Sequence, residues 1–289
     1  MELGEIGVWS GELRSGEESL RREAAATLEG LGYGTLWFPG GAGDDSLDCA
    51  EVLLDATSRV TVATGITNIW TEEPAGVAAR HAQLARTYEH RFLLGLGISH
   101  RPLVNRVEEG LYDKPFSAMV AYLDDLDAAP EPPPIAERVL AALGPKMLEV
   151  SRDRAAGTHP YLVTPEHARV AREAVGPDKH VAPEQAVVLE ADPERARARA
   201  RGHLEFYLGL PNYTNNWKRL GFGDDDLRDG GSDRLVDALV AWGDDAAIAA
   251  RVREHLDAGA DHVCLRFIHD VDGLPLEQWR RMADALISA

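Results

Sequence analysis

"RFLLGLGISHRP", residues 91–102, is the stretch on which the reading of the whole chain turns. Nearly every position from Phe92 to Ile98 is apolar, whereas a strand with one wet face alternates apolar and polar side chains. The run therefore predicts a parallel strand covered on both faces. Gly95 and Gly97 allow close packing inside it, and Ser99, His100 and Arg101 emerge at its carboxyl end. A phosphate loop is the weaker reading, because "GLGISH" lacks the third glycine of a dinucleotide fingerprint and no helix is expected directly behind it.

The same alternation of strand and helix extends outward in both directions. Upstream, "IGVWS" (6–10), "TLWFP" (35–39) and "RVTVATGITN" (59–68) read as strands. Helices are expected between them over 15–34, 46–57 and 74–90; Ser15 and Glu18 have capping-box spacing, Leu20, Ala24, Leu28 and Leu31 share one face, and Pro74 suits a first turn. Downstream, a helix over 118–129 ends at "PEPPP", because proline supplies no backbone donor. Then come the strands "RVLAALG" (138–144), "THPYLV" (158–163), "EQAVVLEAD" (184–192) and "DHVCLRFI" (261–268). Helices start at Pro145, at Thr164–Pro165 and at Asp192–Pro193, and two more cover 246–260 and 275–288. Residues 209–242 form a polar and aromatic excursion with short helices, lining either the entrance of a site or a dimer surface. Eight strand-then-helix units in 289 residues predict an α/β fold, a (β/α)8 TIM barrel with an insertion before the last strand, in a single domain spanning 1–289. An open doubly wound sheet is the rival.

Composition narrows the function. With 48 acidic against 30 basic residues, the formal net charge is −18, which repels a phosphate backbone, so no nucleic-acid partner is expected. No apolar run approaches the roughly 20 residues of a membrane helix, and the start lacks a signal-peptide pattern, so a cytoplasmic chain without membrane contact is expected. Cys49 and Cys264 have no metal-ligand spacing, and the ten histidines never form a close liganding pair, so no metal is expected. A Gly-x-Ser-x-Gly elbow and a phosphate-binding Gly-x-x-x-x-Gly-Lys loop are both missing.

In a barrel the active site lies at the carboxyl ends of the strands. That rule selects Trp37–Gly41, Gly65–Trp70, Ser99–Arg101, Leu143–Lys146, Val163–Glu166 and His269–Asp272. Few of these are strong acids or bases. "ALGPKM" and "LVTPEH" each pass abruptly into a helix, where exposed amides and the positive helix end suit a phosphate; well-capped helices without a ligand are the alternative.

The segments "LEGLGYGTLWFPG", "ATSRVTVATGITNIW", "HRFLLGLGISHRP", "RVLAALGPKMLEVSRDRAAGTHPYLVTPEH" and "DAGADHVCLRF" run in the order of the bacterial luciferase-like family, and the chain resembles its actinobacterial group of coenzyme F420-dependent oxidoreductases. The resemblance implies a luciferase-like barrel, commonly a homodimer, acting on a small-molecule organic substrate by hydride transfer with the deazaflavin F420. FMN, used by a luciferase-like monooxygenase, is the alternative cofactor, and a non-catalytic ligand-binding barrel is an alternative of another class. A non-proline cis peptide behind the ring maps onto Gly65 and Ile66. Cofactor contacts after strand four map onto Gly97, Ile98, Ser99 and His100, and phosphate contacts onto Gly144, Pro145 and Thr164. Several deazaflavin-dependent relatives carry an acid or histidine after strand two, where this chain has "WFPGG", so His100 is the expected catalytic residue, with Trp37, Phe38 and Trp70 as candidates for an apolar substrate wall and Arg101, Arg106 and Lys146 for anion contacts.

Overall fold

A computed structural model describes residues 1–41 and 46–287, and in it the predicted alternation becomes one curled sheet in which every pairing is parallel. Its strands are β1 (Ile6–Trp9), β2 (Thr35–Phe38), β3 (Thr61–Thr64), β4 (Thr67–Asn68), β5 (Phe92–Gly97), β6 (Arg138–Leu140), β7 (Gly157–Thr158), β8 (His180–Val181), β9 (Glu184–Val188), β10 (Val240–Trp242) and β11 (Val263–Phe267). Around the sheet, β11 pairs with β1, β1 with β2, β2 with β3, β3 with β5, β5 with β6, β6 with β7 and β7 with β8. Closure falls to the continuous segment carrying β8 and β9. On one side Ala182 N donates to Thr158 O and Glu184 N to Pro160 O; on the other Cys264 N donates to Pro183 O. Pro183 has no N–H of its own, which separates β8 from β9 without ending the staff of the barrel.

Helices cover the outer face, and the burial pattern follows from the strand period of two. Val8, Leu36, Phe38, Val62, Leu94 and Leu265 point outward into the layer beneath the helices. Trp9, Trp37, Ala63, Leu93, Val139, Ala182 and Cys264 fill the barrel interior. A third cluster, with Leu204, Trp217, Leu235 and Val240, forms beneath the insertion. Both cysteines are buried and free, and no helix among the described residues is long and apolar enough to cross a membrane.

Several local expectations need correction. No capping box starts the first helix (Glu18–Gly30): Ser15 Oγ donates to Gly11 O instead, and Leu20 is exposed while Ala24, Ala25 and Leu28 are buried. A helix, Arg101–Val107, does follow β5 directly, with Pro102 in its first turn. The strand expected over 158–163 is β7, which ends at Thr158 because Pro160 has no N–H and Leu162 takes a left-handed φ of 50°, neither compatible with a continuing ladder. Within the insertion, Val240–Trp242 is a strand pairing with β9 along the edge that short β7 leaves free. The final helix is described over Leu276–Leu286; Ser288 lies outside the described residues.

Candidate active site

A cavity of about 730 Å³ opens at the carboxyl ends of the strands. Its centre is the break between β3 and β4, where Gly65 and Ile66 bulge inward and the bond joining them is cis. Thr64 ties the bulge to β5, its Oγ1 donating to Gly95 O and accepting from Gly95 N, each at 2.9 Å. Two glycines admit Ile66. A Cβ at Gly40 would overlap the Ile66 carbonyl, and one at Gly97 would stand 2.6 Å from Ile66 Cδ1.

Beyond β5 the chain turns sharply at Ser99, whose φ of 50° is unusual for a residue with a side chain. Trp70 Nε1 donates to Ile98 O at 2.8 Å and holds that turn. His100 follows, with its ring 5.4 Å from Tyr213 and 6.3 Å from Phe206. Burial lowers its pKa to about 4, against an opposing hydrogen bond that the ring donates to the Asn212 side chain, so the ring is neutral near pH 7. Its Nδ1 is buried without a hydrogen-bond partner among the described residues.

The far wall is built by β6 and the insertion. Gly144 caps the helix Pro145–Arg154, and Arg219 reaches across to it, with Nη2 3.2 Å from Asn216 Oδ1 and 3.5 Å from Leu143 O. Arg106 stands on the cavity wall as well, on the helix after β5. Among the described residues lining the cavity there are two arginines and no carboxylate. In a chain with 18 more acids than bases, that distribution makes the cavity locally electropositive.

Gly65, Ile66, Gly97, Ile98, Ser99, His100 and Gly144 all line the cavity. Pro145 is exposed beside it, and Thr164 is off the wall, its hydroxyl accepting from His167 N as a helix cap. The expected aromatic wall is corrected. Trp37 is sealed in the barrel interior, stacked 4.0 Å from His159, Phe38 lies under the helices, and Trp70 faces Tyr112. Trp9, Tyr161, Phe206, Tyr207 and Tyr213 supply the wall instead. Arg101 sits over Tyr112 and Lys146 over Phe116, both off the cavity.

Sequence reasoning missed His159, Tyr161, Asn212, Tyr213 and Arg219. The aromatic and asparagine-rich "LPNYTNNWKR" was the available signal, since that composition is unusual for a solvated loop; the structure puts Asn212, Tyr213, Asn215 and Arg219 on the cavity. Below the floor, Glu184 is fully buried, and desolvation raises its pKa to about 8 although Leu162 N donates to it at 3.2 Å. It is neutral near pH 7.

Comparison with known proteins agrees with the resemblance read from the sequence. Residues 10–126 match the family model described as luciferase-like monooxygenase. An F420-dependent secondary alcohol dehydrogenase, solved with an F420–acetone adduct, superposes with a TM-score of 0.75 at 14% identity over 99% of this chain and 98% of its own. The coenzyme F420-dependent tetrahydromethanopterin reductase from Methanopyrus kandleri gives 0.77 at 15% identity, covering 99% of both chains. The oxygenating constituent of 3,6-diketocamphane monooxygenase from Pseudomonas putida, solved with FMN, gives 0.66 at 14% identity over 98% and 96%. These likenesses show the fold, a luciferase-like barrel. No curated protein matches the chain.

Proposed function

We propose that this luciferase-like barrel is an oxidoreductase that transfers a hydride between coenzyme F420 and a small organic substrate. The observation that carries the reading is the electropositive, carboxylate-free lining of a large cavity in a strongly acidic chain, described above for the described residues. An anionic cofactor with a flat ring suits it. Ile66 backs the ring, and Gly40 and Gly97 leave the room that Ile66 needs. Gly144 and Arg219 hold the phosphate at the start of the helix Pro145–Arg154, with Pro145 shaping that turn and Thr164 capping the neighbouring helix. Gly97, Ile98 and Ser99 present backbone groups to the ring's edge. When bound, a deazaflavin supplies the hydride chemistry.

The chain's own residues bind, orient and dry the site. Tyr161, Tyr207 and Tyr213 exclude water, and His100 serves as a proton acceptor because its half-buried ring is neutral near pH 7. FMN is the second reading: an arginine beside a helix start suits a phosphomonoester equally well. Spectral titration with both chromophores tests the choice. Tighter binding of F420 supports the proposal, tighter binding of FMN replaces it with a monooxygenase, and binding of neither overturns both. The resemblance also supports a cytoplasmic homodimer, which light scattering on the purified chain checks as a doubled mass.

A further inference from the structure

We propose that the substrate carries a carboxylate and that Arg266 is the residue that holds it. The word substrate rests on the oxidoreductase reading above, while the anion site does not. Along β11, Val263, Leu265 and Phe267 pack outward beneath the helices, and Cys264 points into the barrel. Arg266 therefore shares the inward side with Cys264, one step nearer the carboxyl end. Its guanidinium carbon lies 4.5 Å over the Trp9 ring and 5.6 Å from the centre of the Tyr161 ring, and both rings line the cavity.

Stacking occupies the faces of a guanidinium and leaves its N–H donors, which radiate in the plane, for other partners. Among the described residues none accepts a hydrogen bond from Arg266 or forms an ion pair with it. The acid whose charge it feels, Glu12, is engaged by the Ser10 hydroxyl and lies 3.3 Å from His269 Nε2. Arg91, by contrast, spends its donors on Thr57 Oγ1 and on the carbonyls of Leu54, Thr57 and Val60. Burial lowers the Arg266 pKa to about 10, which leaves it charged at neutral pH.

A half-buried cation without a partner gives up part of its hydration, and a ligand anion offsets that loss. None of the nitrogens of Arg266 is among the fully buried polar atoms that lack a partner, so its donors remain reachable. A planar fork pairs edge to edge with a carboxylate, which also fits flat against the neighbouring rings. The two arginines that line the cavity, Arg106 and Arg219, belong to the walls formed after β5 and β6, whereas Arg266 stands against Trp9 and Tyr161 at the edge of that lining.

The test uses benzoate and its uncharged analogue benzamide, titrated calorimetrically into the full chain with and without cofactor. Benzoate is expected to bind at least about tenfold more tightly, the size of one charge-assisted contact. Arg266→Gln should abolish the preference while leaving the spectral titration of the cofactor unchanged. Should Arg266→Gln fail to fold, Arg266→Lys keeps the charge but not the fork, and benzoate should weaken while benzamide does not. Equal binding of the two probes by the native chain, or a preference that survives Arg266→Gln or Arg266→Lys unaltered, overturns the proposal. Benzoate preference without binding of either chromophore sinks the oxidoreductase reading and leaves the anion site standing.

Discussion

His100 shows how much one side chain's surroundings decide. Its imidazole is enclosed by Tyr213 and Phe206, and with a pKa near 4 it is already neutral at pH 5. As a proton acceptor it should give a kcat/KM that is level above about pH 5 and falls as the pH drops through about 4. Replacing it by Gln should lower kcat by about 10² and flatten that acid limb. A wild-type profile that instead falls as pH rises through 6 or 7 would require a protonated donor and exclude this role. Glu184 behaves in the opposite sense. Its pKa rises from 4.5 to about 8 on folding, so the folded chain holds the proton more tightly than the unfolded one. The contribution of Glu184 to stability therefore declines as pH climbs from about 4.5 to about 8, by up to about 1.4 kcal/mol per pH unit, and is level above. Glu184→Gln remains uncharged and should remove that slope from a series of urea melts. The position of His100 at a strand end is legible in "GLGISH"; its neutrality is not, because the rings enclosing it arrive from more than a hundred residues away.

At the scale of elements, the break between β3 and β4 depends on neighbours without side chains. Gly97→Val places two methyl groups where Ile66 stands, so chromophore affinity should drop at least about tenfold while the circular dichroism spectrum stays native. Gly76→Ala is the control: nothing lies within 4 Å of its Cβ, and alanine in the helix Pro74–Thr87 should add up to about 1 kcal/mol without touching affinity. An unaltered titration for Gly97→Val would remove the bulge from the binding site. Thr164 and Asp192 show which element signals a sequence carries reliably. Both were expected as caps before proline, and both accept from the backbone N–H three residues on. Ser15 and Glu18 have equally good spacing and make no cap, because Ser15 turns to Gly11. A capping pattern states what a residue is able to do, and the incoming chain direction decides whether it does so.

The molecule as a whole should be sensitive to acid for a reason spread over many sites. His81, His159, His167 and His262 are buried and His203 is half-buried, and desolvation lowers each pKa from 6.5 to about 4. The unfolded chain thus binds more protons than the folded one between those values, and stability falls as pH drops from about 6.5 to 4. Five such rings outweigh the reverse slope of Glu184, so the melting temperature should decrease across that window; a constant value would show that the rings are hydrated in solution. Thermal melts should also show one transition, since the insertion's Trp217 and Val240 pack with Leu162 and Ala186 of the barrel, and two separated transitions would divide the chain into units.

Periodicity, glycine placement and caps were enough to specify eight strand-then-helix units, their order and the rim on which the cavity opens, because these features follow from the backbone preferences of neighbouring residues. Pro160 and Pro183 bear on strand length in ways equally local, although their effect on β7, β8 and β9 appeared only with the sheet assembled. What lay beyond the sequence was which side chains share one cavity. Trp37 and Trp9 are both strand-end tryptophans, yet one is sealed against His159 while the other faces the cavity beneath Arg266. Curling the sheet decides that difference, by setting which inward residues are covered by a neighbouring layer. It also folds residues 212–219 back over the mouth, which brings Tyr213 and Arg219 to His100 and Gly144 and sets the charge and dryness of the site.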